Sequence, residues 1–414
     1  MHSVRAIATF ARFKRYWKAS AALLMVLLVG AIAAHQYAKS KPSRAFLLKG
    51  TPPSSGEGFA LALYQSLGVR LTGGHAVSVV QNGDVFDTLV QQIGAAKTSV
   101  NVLMYIWERG AASDRVVQAL VTRAKAGAQC RILVDDLGSP DFSEKVAPKL
   151  TQAGCEVRLF RPLSAGEKLA RNHRKLIVVD GRAALTGGFG IRDNWLGDGV
   201  HAESWRDTNV LFTGPAVSAA QQSFAENWQE AGGALLPAEA FPALNDVGTV
   251  QAAFVGSSQG VVTRAERLIQ LMVLAAKKRL WIANAYFVPS AGILELLKTK
   301  ARAGVDVRVL APDENSDSKT AFGMQHVEYG GLMEQGVKVW EYTASMLHAK
   351  TMIVDDELAL VGSINLDPLS LNELEEDALV LQDRAVVEQL SQSFSADCAR
   401  SRPLSHGTQH ARAP

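Results

Sequence analysis

The 414-residue chain predicts a duplicated α/β fold preceded by an apolar N-terminal helix. Three observations carry that prediction. Apolar β-branched runs alternate with longer helical stretches that end in Ala-Gly or Gln-Gly, the pattern of strand, helix, glycine cap and strand. Five sequence blocks recur in one order along the chain. An uncharged run, ASAALLMVLLVGAIAA, occupies residues 19–34.

The N-terminal run is close to the ~20 residues that a spanning helix needs and longer than a minimal signal-peptide core. It is read as a single membrane anchor, because His35-Gln36-Tyr37 can carry the helix to the interface. A cleaved signal is the alternative, with Ala31, Ala33 and Ala34 near a cut. Arg5, Arg12, Lys14, Arg15 and Lys18 precede the run, and Lys39, Lys41, Arg44 and Lys49 follow it, a slight bias toward a cytoplasmic N-terminus. Residues 1–40 are therefore the basic N-terminus and anchor. Residues 41–60, rich in Pro, Gly and Ser, form a linker. The stretch 401–414 is polar and is read as a disordered tail.

Between them the chain repeats. AAKTSVNVLMYIW (95–107) answers to AAKKRLWIANAYF (275–287). AKAGAQCRILVDD (124–136) answers to ARAGVDVRVLAPD (301–313), and LTQAGCEVRLF (150–160) to LMEQGVKVWEY (332–342). The fourth pair is HRKLIVVDGRAALTGGFG (173–190) and HAKTMIVDDELALVGSIN (348–365), and the fifth is DTNVLFTGPAV (207–217) and EDALVLQDRAV (376–386). The first lobe is placed at 61–240 and the second at 241–400, because GGALLPAEAFPALND breaks the pattern between them.

Composition bounds the function. Hydrophobic residues make up 48% and charged residues 20%, a globular balance, and 43 basic against 40 acidic side chains leave a net charge of +3. That gives no global basic field for nucleic acid. The three cysteines, Cys130, Cys155 and Cys398, fit no zinc or disulfide spacing, and Cys130 and Cys155, in apolar strand-like runs, read as core thiols.

The fourth repeat pair carries the chemistry. Alternate residues of a strand share a face, so His173 projects with Lys175 and His348 with Lys350. An ammonium beside an imidazole suits an anionic substrate better than a metal. Asp180 lies seven residues beyond His173, or ~23 Å along a continuous strand, so Asp180 and Asp355 are read as hairpin-turn residues. A working imidazole also needs an acceptor on its other nitrogen. The fifth pair supplies Asp207 and Glu376, assigned to His173 and His348 respectively, with Glu373 and Glu375 as neighbouring competitors. Ser363 and Asn365 are candidates to hold phosphate oxygens. Two imidazoles suggest two-step displacement at phosphorus: one attacks to give a phosphohistidine, and the other donates and then removes a proton. His201 and His326 have no repeat partner and are weaker candidates for substrate contact. Trp195 and Trp205 follow the first motif, where acyl-chain contact is a minority reading.

The two HxKxxxxD runs, with GSIN after the second, resemble the phospholipase D superfamily. AYFVPS, GVDVRVLAP, MLHAKTMIVDDELALVGSINLDPLSLN and ESWRDTNVLFTGPAV resemble bacterial cardiolipin synthases within it. The resemblance implies two α/β lobes about a pseudo-twofold axis, one active site at their interface, and catalysis without cofactor or metal. It places His173, Lys175, Asp180, His348, Lys350 and Asp355 in that site. It also implies a phosphatidylglycerol-like phospholipid as substrate, transphosphatidylation to cardiolipin as the reaction, and the bacterial inner membrane as the location. A phospholipase D-type hydrolase is the alternative, and a nuclease of the superfamily a more distant one. The first motif departs from the pattern at Gly190, where the second has Asn365.

Overall fold

The computed structural model describes residues 46–163 and 170–405. The apolar run at 19–34 lies outside them. Among the described residues, no helix is long and apolar enough to cross a membrane.

Each half contributes seven strands in one spatial order, which is the repeat expressed as topology. In the first half they are β1 (Thr72–Gln81), β2 (Ser99–Met104), β3 (Gln129–Asp135), β4 (Glu156–Phe160), β5 (Leu176–Val179), β6 (Ala183–Gly187) and β7 (Thr208–Thr213). In the second they are β8 (Val250–Ser257), β9 (Arg279–Asn284), β10 (Asp306–Pro312), β11 (Lys338–Tyr342), β12 (Lys350–Val354), β13 (Leu358–Gly362) and β14 (Glu376–Gln382). The halves read β1-β7-β6-β5-β2-β3-β4 and β8-β14-β13-β12-β9-β10-β11 across the sheet. β1 pairs antiparallel with β8, so both halves share one continuous 15-stranded sheet. The described residues from Leu47 on form one compact unit.

The outer strands β2, β3, β4 and β9, β10, β11 pair in parallel through helical crossovers, as the alternating pattern requires. The inner strands pair antiparallel and include the two hairpins that carry the motifs. One apolar layer belongs to the first lobe and one to the second, while a third runs under both, from Leu103 and Phe212 to Phe254 and Leu379. Cys130 and Cys155 are buried, as read from the sequence.

Two boundaries move. The linker expected to 60 ends sooner, because a helix spans Gly56–Leu67 and packs Phe59 and Leu63 into the second lobe's core. The tail expected from 401 begins with a short strand, β15 (Ser401–Pro403), antiparallel to β11. The exposed edge of β11 recruits it, since an unpaired strand edge leaves backbone donors and acceptors open.

Candidate active site

His173 and His348 stand just ahead of β5 and β12. The chain is pinned there by the other lobe. His173 N donates to Glu375 O at 2.8 Å, and His348 N donates to Arg206 O at 2.7 Å. Each motif histidine is thus fixed across the lobe interface before any side chain is considered.

The side chains cross in the same way. His173 Nδ1 donates to Glu376, at 2.9 and 3.0 Å from its two carboxylate oxygens. His348 Nδ1 lies 3.4 Å from Asp207 Oδ2. The sequence assignment had each carboxylate serving the histidine of its own lobe, and the structure reverses it. The cause is topological. β7 and β14 flank the central β1 and β8 pair, so the residue opening each of them projects across the pseudo-twofold axis toward the opposite motif.

The two carboxylates are held by different means. Glu376 accepts from the hydroxyls of Ser363 and Ser370. Asp207 accepts from Trp195 Nε1 at 2.8 Å and from Thr208 N at 2.8 Å. This explains why the repeat is imperfect. Ser363 corresponds to Gly188, where a Cβ would sit 2.4 Å from Asp207 Oδ1. Asn365 corresponds to Gly190, where a Cβ would sit 2.9 Å from the Trp195 ring. The first lobe replaces two polar side chains with one indole. Ser363, read as a phosphate ligand, has its hydroxyl committed to Glu376. Asn365 is 2% exposed and its Oδ1 has no protein partner.

Both lysines are buried with the histidines. Lys175 Nζ donates to His173 O at 2.6 Å and lies over the Tyr105 ring. Lys350 Nζ lies 2.7 Å from His348 Nδ1 and 3.0 Å from Nε2. Burial depresses the charged form of each cation: Lys175 is pushed down to about 7 and Lys350 to about 8. Burial, then the lysine charges, hold His173 well below its ordinary value, and burial with Lys350 takes His348 down to about 4. Burial raises Glu376 to about 7 against the pull of Lys175. Burial therefore favours the neutral form of both imidazoles and weakens the hold of both lysines on their protons. An entering anion would restore the charges.

Aromatic rings pack around the two histidines. Tyr105 meets His173 edge-on at 5.0 Å, and Trp195 meets His348 edge-on at 5.1 Å. Trp205 lies 5.2 Å from His348 and takes Arg192 on its face. The tryptophans are thus packing and hydrogen-bonding partners of His348 and Asp207. The signal for this was the unmatched Trp195 in a loop whose counterpart carries Asn365 and Ser370. His201 is exposed and paired with Asp198, and His326 pairs with Glu341.

Asp180 and Asp355 are not with the imidazoles. Asp180 sits in the β5–β6 turn at φ 53° and accepts from the backbone N–H groups of Lys97, Thr98 and Ser99. Asp355 sits at φ 51° and accepts from those of Lys277, Lys278 and Arg279. Each fastens its hairpin to the start of the neighbouring strand, β2 or β9. Their place among the site residues is corrected accordingly. Glu375 is also structural: it joins Arg161 at 2.9 Å and Arg174 at 3.5 Å across the lobes. Among the described residues, no group of three or more His, Cys, Asp or Glu has metal-holding geometry.

Known proteins resemble this chain in sequence and in fold. The family model "Cardiolipin synthase, PLD-like domain" matches residues 89–228 and 268–398, once per lobe. A cardiolipin synthase of Geobacillus sp. (strain WCH70) is 33% identical over 80% of this chain and 67% of its own length. The major cardiolipin synthase ClsA of Bacillus subtilis (strain 168) is 31% identical over 81% of this chain and 71% of its own. A cardiolipin synthase of Halalkalibacterium halodurans is 34% identical, and there the chain spans 63% of the relative's length. Among solved structures, phosphatidylserine synthase of Haemophilus influenzae Rd KW20 superposes with a TM-score of 0.64 at 14% identity, over 84% of this chain and 92% of that one. Polyphosphate kinase of Porphyromonas gingivalis gives 0.53 at 11% identity, over 86% and 50%. These two likenesses show the fold. Two lobes matched by one family model, and relatives of one name at more than 30% identity over most of the chain, place this protein in the phospholipase D-like cardiolipin synthase family of phosphatidyltransferases.

Proposed function

We propose that this protein makes cardiolipin by moving a phosphatidyl group from one phosphatidylglycerol to the headgroup hydroxyl of another. The observation that carries the reading is the crossed pair of buried imidazoles, each held at Nδ1 by the other lobe's carboxylate and each beside a lysine. In this reading both imidazoles serve one phosphorus, and Lys350 Nζ, which stands 3.0 Å from His348 Nε2, turns to the bound phosphate.

His173 is the nucleophile. Its Nδ1 bond to Glu376 is the shorter of the two, and burial keeps the ring neutral. Nε2 forms a bond to phosphorus, and the bond from phosphorus to the glycerol oxygen breaks. His348 protonates that oxygen, and glycerol leaves. His348 regains its proton when the phosphodiester binds, because the anion offsets the burial and the lysine charge that lower it. In the second step the acceptor hydroxyl gives its proton to His348, its oxygen bonds phosphorus, and the phosphorus–Nε2 bond breaks. Lys175 and Lys350 balance the charge on the non-bridging oxygens. Asn365 supplies a further polar contact to them.

The uncharged run at 19–34 supports work at a membrane, with one N-terminal anchor in the bacterial inner membrane. The test is incubation of the full chain with labelled phosphatidylglycerol, with and without added glycerol, followed by lipid separation. Cardiolipin that forms, and that added glycerol suppresses, is the expected result. Phosphatidic acid as sole product would make the protein a hydrolase.

A further inference from the structure

The two halves of the pocket differ in one respect that the transfer chemistry leaves unused. In the first lobe, the carboxylate that ends β3 is fully engaged: Asp135 is buried, meets Arg171 Nε at 3.1 Å and accepts from Asn172 N at 3.0 Å. In the second lobe, the loop after β10 presents Asp317, which is exposed. Asp317 Oδ1 accepts from the Tyr286 hydroxyl at 2.7 Å. The Tyr286 ring stands edge-on to His348, with centroids 6.2 Å apart. The charge of Asp317 reaches both His348 and Lys350 and favours their protonated forms. An exposed carboxylate whose charge reaches a phosphodiester site repels the substrate's own anion, so phosphate binding does not account for it.

We infer that Asp317, positioned by Tyr286, is the acceptor-side subsite for a vicinal diol, and that it selects a glycerol headgroup over water. The inference rests on the proposed transfer and on the role of His348 in it. One hydroxyl of the acceptor glycerol gives its proton to His348 and attacks phosphorus at His173. The neighbouring hydroxyl donates to Asp317. A carboxylate accepts from hydroxyls and donates to nothing when ionised, so it matches a polyol. Water, with no second hydroxyl on the same molecule, gains nothing comparable from being held there. The same contact receives the departing glycerol of the first step, because that alcohol leaves on the His348 side.

The experiment measures ratios, which a general loss of folded protein does not move. The full chain is given labelled phosphatidylglycerol, and the cardiolipin to phosphatidic acid ratio is read for wild type, Asp317→Asn, Asp317→Ala and Tyr286→Phe. In parallel, glycerol and 1-propanol compete as soluble acceptors. Hydrogen bonds to charged groups are the stronger class, so Asp317→Ala should lower the lipid ratio at least about tenfold and abolish the preference for glycerol. Asp317→Asn should fall between, and Tyr286→Phe should do likewise by releasing the carboxylate. If wild type makes cardiolipin and both ratios are unchanged in Asp317→Ala and Asp317→Asn, the diol subsite is overturned and the transferase reading stands. If wild type turns over no phospholipid, both fall.

Discussion

Glu376 of the second lobe holds His173 of the first, with 2.9 Å between Oε1 and Nδ1. The return contact, Asp207 to His348, is longer at 3.4 Å. The site is therefore completed only by the assembled pair of lobes, and the two carboxylates contribute unequally. Partners that orient a working imidazole typically carry roughly 10–100-fold in activity. Glu376→Gln should lie at the upper end of that range and Asp207→Asn at the lower. Steady-state transfer rates of the purified variants check the order. Equal losses would show that the tighter contact has no special role.

Restoring the repeat should do harm. Ser363 is useful in the second lobe, yet Gly188→Ser places a Cβ where Asp207 Oδ1 sits, at 2.4 Å. The carboxylate must move, and with it the Nδ1 contact of His348. Transfer should drop by about tenfold, the lower end of the range for a lost orienting partner, while the chain still folds. Rates normalised to folded protein from near-ultraviolet circular dichroism make the comparison. A Gly188→Ser enzyme with wild-type rates would contradict this reading of the asymmetry.

The turn aspartates should affect stability, not chemistry. Asp180 and Asp355 each satisfy three backbone N–H groups at the start of a neighbouring strand. Replacing either with Ala leaves those donors to water and should cost roughly 1–2 kcal/mol, as loss of a helix cap does. Both carboxyls sit below their ordinary value, chiefly through these backbone bonds working against burial. Their stabilisation is therefore present above the unfolded-state value near 3.9 and is lost as pH falls through the lower folded value. Urea unfolding at pH 7 and at pH 3 checks this, and a folded but inactive Asp180→Ala would refute it.

The pocket's pH response has two opposed parts. Glu376 is raised to about 7, so between its unfolded value and pH 7 the folded protein holds a proton the unfolded chain has lost, and its contribution to stability falls as pH rises. Lys175 is lowered to about 7, so between pH 7 and 10.5 the unfolded chain holds the extra proton and stability rises with pH. The pair contributes least near pH 7. Activity should fall as pH rises past about 8, as Lys175 and then Lys350 lose their charge. Lys175→Met, which removes a buried cation, should be inactive yet melt at a higher temperature than wild type. A kcat/KM profile flat to pH 10, or a lower Tm for the variant, would count against the assignment.

Much of this was legible in the sequence. The duplicated blocks forecast two halves with one strand order, and the HxK spacing marked the imidazoles and lysines because it recurs at matched positions. Asp180 and Asp355 were readable as turn residues from strand length alone. Which carboxylate serves which histidine was not readable. Repeat alignment pairs residues within a lobe, whereas the crossing arises from β1 pairing with β8, a contact between strands with no periodic signature of their own. Trp195 was named, but its role was missed for a similar reason: the repeat shows a glycine where an asparagine is expected, but not that an indole from five residues on fills the space. The strand β15 depends on an open edge of β11 that no local pattern encodes.

The central claim is that His173 carries the phosphatidyl group between the two steps. The direct measurement is to mix the enzyme with phosphatidylglycerol labelled in the transferred phosphate, quench with denaturant at alkaline pH, where phosphohistidine survives, and map the label by peptide mass spectrometry. The label should sit on His173, vanish in His173→Ala, and remain detectable in His348→Ala supplied with a donor that has a good leaving group. Label on His348, or none on either histidine while cardiolipin forms, would contradict the account.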